Sequence, residues 1–180
     1  MRTRYQVALG WLGLLLLVAV GWAERRRDPL TPAEIDLLRD TAQEPDARLK
    51  LFVGFARARL DRVDKAGTDP EVKDKVQAIR DRLQDFLDVY DELDDNVGTF
   101  ADRKDDIRKS LKLVIEADTE FQAKLRALKD GAAAHKNEAA EYNLLLADVM
   151  EAVDSGANDH RQLLTEQQAL AKEKKLIKPN

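Results

Sequence analysis

The sequence predicts an all-α protein, an antiparallel bundle of three to four long amphipathic helices with one short helix before them. A signal segment precedes these helices. Apolar residues recur at steps of three and four residues over long stretches, and no stretch alternates apolar and polar residues as an exposed strand would. A period of 3.5 residues places apolar side chains on one stripe of a helix, and other helices must cover that stripe.

The clearest stripe belongs to the third predicted helix and predicts helical structure to about residue 97. Its apolar members are Val72, Val76, Ile79, Leu83, Phe86, Tyr90, Leu93 and Val97. Asn96 and Gly98 are typical helix-ending residues, and Thr99 with Asp102 resembles a new N-cap, so we expect a turn here. The same heptad phase continues over 100–114, which leaves one long coiled-coil helix as the alternative.

Capping signals place the first two helices. Thr31, followed by a proline and by Glu34, predicts a capping box that starts helix one, which we expect to reach about Ala42. Pro45 marks the start of helix two. Gly67, Asp69 and Pro70 then predict the end of helix two and the start of helix three.

The second half of the chain predicts two further helices. Helix four is expected over 101–129, with a break at Asp130-Gly131. Helix five is expected to begin in the alanine run 132–134 and to reach about Lys175, weakened midway by Gly156 and its neighbours. The helical domain is therefore predicted to span 31–175, followed by a polar tail over 176–180.

The N-terminus has the layout of an export signal. Arg2 and Arg4 precede the uncharged apolar run Val7–Val20, and small residues up to Ala23 suit a signal peptidase. Residues 1–23 are thus predicted to be a signal peptide. The arginines at 25–27 also suit an uncleaved anchor in the inner membrane, which stays the alternative. Both place the charged linker 24–30 and the helical domain outside the cytoplasm, in the periplasm or secreted.

Composition excludes several classes of function. The 30 basic and 34 acidic residues are interleaved, and the formal net charge is −4. The sequence has no basic patch with aromatic residues, so nucleic acid is not expected as a partner. The absence of cysteine excludes disulfides, thiolate metal sites and thiol nucleophiles. We predict no enzymatic activity, no catalytic residue, no metal and no cofactor.

Two polar residues, Asp118 and His160, fall at positions where the heptad phase requires apolar side chains. An antiparallel pairing across Asp130-Gly131 would place Asp118 opposite about Asn143, and His160 opposite about 101–103. We therefore expect no Asp–His pair between these helices. Each residue is instead predicted to be a single polar group that fixes register, or the stripe shifts locally to Ile115 and Ala117.

Other possible ligands have structural interpretations. His135 and Glu138 are expected on a solvated helix start, because di-iron bundles need Glu-x-x-His motifs that this chain lacks. Met150 lies beside the helix-five stripe and is predicted to fill the core, not to bind haem. Three acidic groups lack the spacing and glycine of an EF-hand and are predicted to be solvated helix faces. They are Asp91-Glu92, Asp94-Asp95 and Asp105-Asp106.

The expected function is protein–protein contact through a face of helices one and two. Phe55 lies off the main stripe of helix two and packs under helix one or serves as a surface anchor. A protein partner or self-association is predicted. Contact with a membrane is expected only through residues 7–23, and only if the leader is not cleaved.

Two short strings resemble a known family. Leu164-Thr165-Glu166-Gln167-Gln168 matches the LTxxQ pattern of periplasmic stress chaperones, and 30–34 (LTPAE) is similar to their helix starts. The resemblance implies a cradle of helices, commonly dimeric, that binds unfolded clients. This chain is longer, poor in methionine and net acidic, where the client-binding faces of that family tend to be basic. A chaperone-like function is the alternative prediction.

Overall fold

The computed structural model describes residues 28–134 and 140–177, and all regular structure in these ranges is α-helical. The predicted signal segment, 1–23, and most of the linker lie outside the described residues. The helices are α1 (Pro32–Arg39), α2 (Pro45–Thr68), α3 (Lys75–Asp102), α4 (Arg108–Ala134) and α5 (Asn143–Ile177). The all-α prediction is confirmed for this part of the chain.

The first helix starts follow the capping signals, whereas the third does not. Thr31 and Glu34 form the predicted capping box, and α2 begins at Pro45 as expected. The predicted start of helix three at Asp69 is wrong, because the Asp69 N–H donates to Lys65 O and closes α2. Asp74 caps α3 instead, accepting the Gln77 N–H at 3.0 Å.

The turn between α3 and α4 lies a few residues beyond its predicted place, so a turn at 96–100 and a single long helix are both wrong. Helix α3 continues through Gly98, and Lys104 then adopts a left-handed conformation with φ of 63°. The Asp105 N–H donates to Phe100 O at 3.0 Å, and the Lys104 N–H donates to Ala101 O at 2.8 Å. This pair of hydrogen bonds is a Schellman motif with lysine at the position that glycine usually occupies.

The connection between α4 and α5 also differs from its prediction. Helix α4 continues through Gly131 to Ala134, so the predicted break at Asp130-Gly131 is wrong, and α5 begins at Asn143, not in the alanine run. Alanine is the strongest helix former, and the run extends α4. Helix α5 continues through Gly156 to Ile177, two residues into the predicted tail.

The four long helices form two antiparallel hairpins that pack side by side. Helix α2 packs against α3, α4 packs against α5, and the hairpins meet with α2 beside α4 and α3 beside α5. Side-chain pairs between α2 and α4 keep a constant separation of 63 residues, so these helices run parallel. The pairs are Asp46 with Lys109, Arg57 with Glu120, and Asp61 with Lys124.

The core is closed by aromatic side chains that α3 and α4 direct at each other across the bundle. Phe86 meets Phe121 edge-on with ring centroids 5.3 Å apart, and Tyr90 stacks on Phe86 at 5.9 Å.

Most of the predicted α3 stripe is buried, whereas Val72 precedes the helix. Phe55 is buried edge-on against Phe52, so its interpretation as a surface anchor is wrong.

A sealed histidine, aspartate and tyrosine cluster as the candidate functional site

The most distinctive polar site lies where α3, α4 and α5 meet. Asp118 accepts two hydrogen bonds, from the Tyr90 hydroxyl at 2.9 Å and from His160 Nδ1 at 2.9 Å. Both carboxylate oxygens are therefore occupied. Tyr90, Asp118 and His160 are 2%, 0% and 1% exposed, so the cluster is sealed inside the bundle. A buried carboxylate needs such partners because its desolvation is otherwise costly.

Asp94 connects this cluster to the surface. Its Oδ1 lies 3.2 Å from His160 Nε2, within ion-pair distance but without the angle of a hydrogen bond. The Asp94 side chain is 51% exposed, whereas that of His160 is almost fully buried. The imidazole thus lies between a buried carboxylate on α4 and a half-exposed carboxylate on α3.

Two pKa values in the cluster are displaced. Burial alone would lower the pKa of His160, but the hydrogen bond to Asp118 and the Asp94 carboxylate outweigh it and raise the pKa to about 9. Burial, reinforced by the Asp118 charge and hydrogen bond, raises the pKa of the Tyr90 phenol. At neutral pH, His160 is therefore an imidazolium and Tyr90 a neutral hydrogen-bond donor.

The structure brings together two residues that the predicted register kept apart. Asp118 and His160 are each buried at an apolar heptad position, as predicted, but the prediction that they do not pair is wrong. That register assumed a turn at 130–131, whereas the two residues are equidistant from residue 139. Because α4 is longer and α5 begins later, the residue opposite a given position shifts by about 17 residues, or nearly five helical turns.

The cluster can hold a proton, and its polar atoms contact one another and Asp94. Two cavities beside the described helices are lined by residues outside the cluster. Among residues 28–134 and 140–177, no three His, Asp or Glu side chains are arranged so that they could hold one metal ion.

A second polar site fastens α1 to α2, and sequence reasoning missed it. Arg59 is buried and binds both carboxylate oxygens of Glu34, with Nη2 2.6 Å from Oε2, and Nη2 also donates to Pro29 O at 3.0 Å. Arg48 Nη1 donates to Leu38 O at 3.0 Å near the other end of α1. The sequence did contain a signal for this site. Arg48, Phe52, Phe55 and Arg59 follow one another at steps of four, three and four residues, which places both arginines on the same side of α2 as the two aromatic residues.

An open cleft of about 680 Å³ lies at the end of the bundle where α2 ends and α3 begins. Its lining is mostly apolar and includes Val63, Ile79, Leu128 and Tyr142. Concave apolar surfaces of this size are typical of ligand and peptide sites. The cleft is separate from the buried cluster.

The other residues considered as ligands are placed as follows. His135 and Glu138 lie outside the described residues, and Met150 is half-buried against the core, as predicted for a filler. Asp105 and Asp106 lie in the turn before α4, so their predicted placement on a helix is wrong. The other two acidic groups lie on α3 as predicted.

The LTxxQ-like string contributes to the fold near the α3–α4 turn. Gln167 Oε1 accepts the Ile107 N–H at 3.1 Å, and its Nε2 donates to Asp105 O at 3.0 Å. These two hydrogen bonds fasten the turn to α5. Gln168 is exposed. The string is thus joined to an intramolecular turn through its fourth residue.

Comparisons with known proteins add nothing to these observations. No family model matches the chain, and no curated protein or solved structure matches it significantly. Among the described helices, none is long and apolar enough to cross a membrane.

Proposed function

We propose that this chain is an exported, non-enzymatic helical bundle that acts through protein–protein contact, with α1 as the contact surface. The observation that carries the proposal is the way α1 is held. An eight-residue helix is too short to be stable alone in water. Here Arg59 and Arg48 hold its two ends on α2.

The side chains that α1 presents suit a protein partner. Leu38 is buried, but Leu37 is 55% exposed and Ile35 is also exposed. Because polar clamps fix the helix, these aliphatic side chains are presented in one arrangement, which lowers the entropic cost of binding. A buried aliphatic anchor in a polar rim is a common centre of protein interfaces.

Site-specific photo-crosslinking in the producing cell tests the proposal. A photoreactive residue at 37 is expected to give a discrete adduct with a protein, either another protein or a second copy. The matched control is position 170, because Leu170 is also 55% exposed but lies on α5, away from α1. Ile35→Ser should weaken the adduct at 37. Equal labelling at 37 and 170, or none at 37, would contradict the assignment to α1.

Export is tested separately by the two tryptophans, Trp11 and Trp22, which both lie in the predicted leader. If the leader is cleaved after Ala23, the exported protein has tyrosine but no indole fluorescence. Its mass should match residues 24–180. Indole emission from the purified exported protein would favour the uncleaved anchor instead.

The cleft at the end of the bundle supports a second candidate function, chaperone-like binding of unfolded clients. Its lining is mostly apolar and open to solvent, as a client segment would require. Suppression of aggregation of a model client is expected to fall in Leu128→Asp and to persist in Leu170→Asp. No suppression by the unmodified protein at equimolar ratio would count against this candidate.

A further inference from the structure

We propose that His160, when protonated, holds the two helical hairpins together. Loss of its proton releases α5 from α3, while α5 stays attached to α4. The proposal concerns the fold itself and is independent of the proposed contact surface on α1. It rests on the different surroundings of the two ring nitrogens.

The two nitrogens of His160 face carboxylates of different character. Nδ1 faces Asp118, which is fully buried and also accepts the Tyr90 hydroxyl. Nε2 faces Asp94, which is half-exposed and therefore better screened by water. The Nε2 proton is thus the less strongly held of the two. Its loss keeps the hydrogen bond to α4 and leaves a nitrogen lone pair facing the Asp94 carboxylate.

The location of this ion pair explains why one edge of the bundle would open first. The α3–α5 edge is the least extensive of the four contacts between neighbouring long helices, whereas α4 and α5 pack closely. Groups that bear on the cluster are Tyr90 and Asp94 from α3, Asp118 from α4 and Arg161 from α5. Losing the His160 charge leaves two carboxylates beside a neutral ring.

The direction of the pH dependence follows from the raised pKa of His160. Its pKa is about 9 in the folded protein against an ordinary value of 6.5. The stabilisation from the proton is therefore fully present below about pH 6.5 and is lost as the pH rises to about 9 and beyond. Asp94 reaches solvent, so the proton can exchange without unfolding of the whole bundle.

Nitrogen-15 spectra of histidine-labelled protein, purified from the producing cell, measure the charge of His160 directly. The chain has two histidines, and His135→Gln identifies the other signal. The expected result is a charged ring at pH 7 with a midpoint near 9. Asp94→Asn should lower that midpoint by about one unit, since an opposite charge at this distance raises a histidine pKa by at least that much. The matched removal of a neighbouring exposed carboxylate, Asp95→Asn, should leave it nearly unchanged.

Spin labels measure the opening itself, and the absence of native cysteine makes the labelling specific. Labels at Gln84 and Glu151 span α3 and α5, and labels at Lys112 and Glu166 span α4 and α5. Between pH 7 and pH 10, the first distance should lengthen while the second stays constant. In Asp94→Asn, the first distance should lengthen at lower pH.

Three results would overturn the proposal. They are a neutral His160 at pH 7, an α3–α5 distance that does not change with pH, and equal lengthening of both distances. The third result would mean unfolding of the whole domain. Because Asp94 lies at the surface, Asp94→Asn tests the proposal even if changes at the buried Asp118 prevent folding.

Discussion

Gly156 of α5 lies directly against the hydroxyl of Tyr90 on α3. A Cβ atom added at Gly156 would be 2.5 Å from Tyr90 Oη and 3.2 Å from Cε1 and Cζ. The ring has little room to move, because it stacks on Phe86 and its hydroxyl is bound to Asp118. The glycine therefore allows α3 and α5 to approach at the level of the buried cluster.

Gly156→Ala is expected to destabilise the domain, although alanine is the better helix former. Overpacking in a core typically costs about 1–3 kcal/mol, and the gain in helix propensity of about 1 kcal/mol offsets only part of it. We expect a net loss of up to about 2 kcal/mol in the free energy of unfolding, measured by urea denaturation.

Gly98 provides the matched control for this prediction. It lies on the exposed side of α3, and an added Cβ there would have no neighbour within 4 Å. Gly98→Ala should therefore stabilise the domain by about 0.5–1 kcal/mol. Tyr90→Phe removes the hydroxyl oxygen that would lie closest to the added Cβ. In the Gly156→Ala variant, Tyr90→Phe should therefore lower the free energy of unfolding by less than it does in the unmodified protein. Equal effects of alanine at 98 and 156 would contradict the close approach.

Lys104→Gly is expected to stabilise the turn between α3 and α4. A left-handed conformation costs a non-glycine residue about 1–2 kcal/mol, and the extra chain entropy of unfolded glycine offsets about 0.5–1 kcal/mol. We expect a net gain of about 0.5–1 kcal/mol by thermal or urea unfolding. Lys112→Gly, in the exposed interior of α4, should instead lose about 1 kcal/mol. A loss at both sites would contradict the left-handed turn.

The same turn shows why periodicity predicts helices better than their ends. The burial stripe of α3 is a local repeat, and it was readable from the sequence over 79–97. Where a helix ends depends on which residue tolerates a left-handed conformation and on distant contacts. Here lysine takes the turn position and Gln167 of α5 fastens the turn, while Gly98 stays helical.

The candidate site was predictable only in part for a related reason. The heptad phase identified Asp118 and His160 as buried polar residues, because phase is a property of each helix alone. Their pairing depends on the register between α4 and α5, which the length of the connection sets. Arg59 was missed because a single arginine beside an apolar stripe is usually a solvated flank, and here α1 covers it.

A disulfide between cysteines at 122 and 154 tests the register of α4 against α5. Gln122 Nε2 donates to Asp154 Oδ1 at 2.7 Å, so these side chains meet at the surface. The double variant should cross-link under mild oxidation or with a short bis-maleimide, as seen by gel shift. Cysteines at 122 and 144 are the control, since residue 144 lies ten residues, or about 15 Å, further along α5. Preferential cross-linking of the control pair would contradict the register.

The ion pair between Glu34 and Arg59 should make the attachment of α1 sensitive to acid. The Arg59 hydrogen bonds, opposed by partial burial and aided by Thr31, lower the pKa of Glu34 from 4.5 to about 2. A lowered pKa in the folded state means that the stabilisation is present above about pH 4.5. It is lost as the pH falls from 4.5 towards 2. Hydrogen exchange of α1 amides should therefore rise in this range relative to the bundle helices.

Glu34→Gln should reproduce this loosening at neutral pH, because a hydrogen bond to a charged group contributes about 1.5–3 kcal/mol and the amide leaves Arg59 without a counter-charge. Exchange of α1 amides relative to the four long helices should rise, and this ratio should no longer change with pH between 2 and 4.5, while the long helices keep their protection. Asp36→Asn is the control, since Asp36 pairs with Arg39 where both side chains are largely exposed, and such pairs contribute little. If both variants behave alike, the clamp at Arg59 does not hold α1, and the contact surface proposed there loses its support.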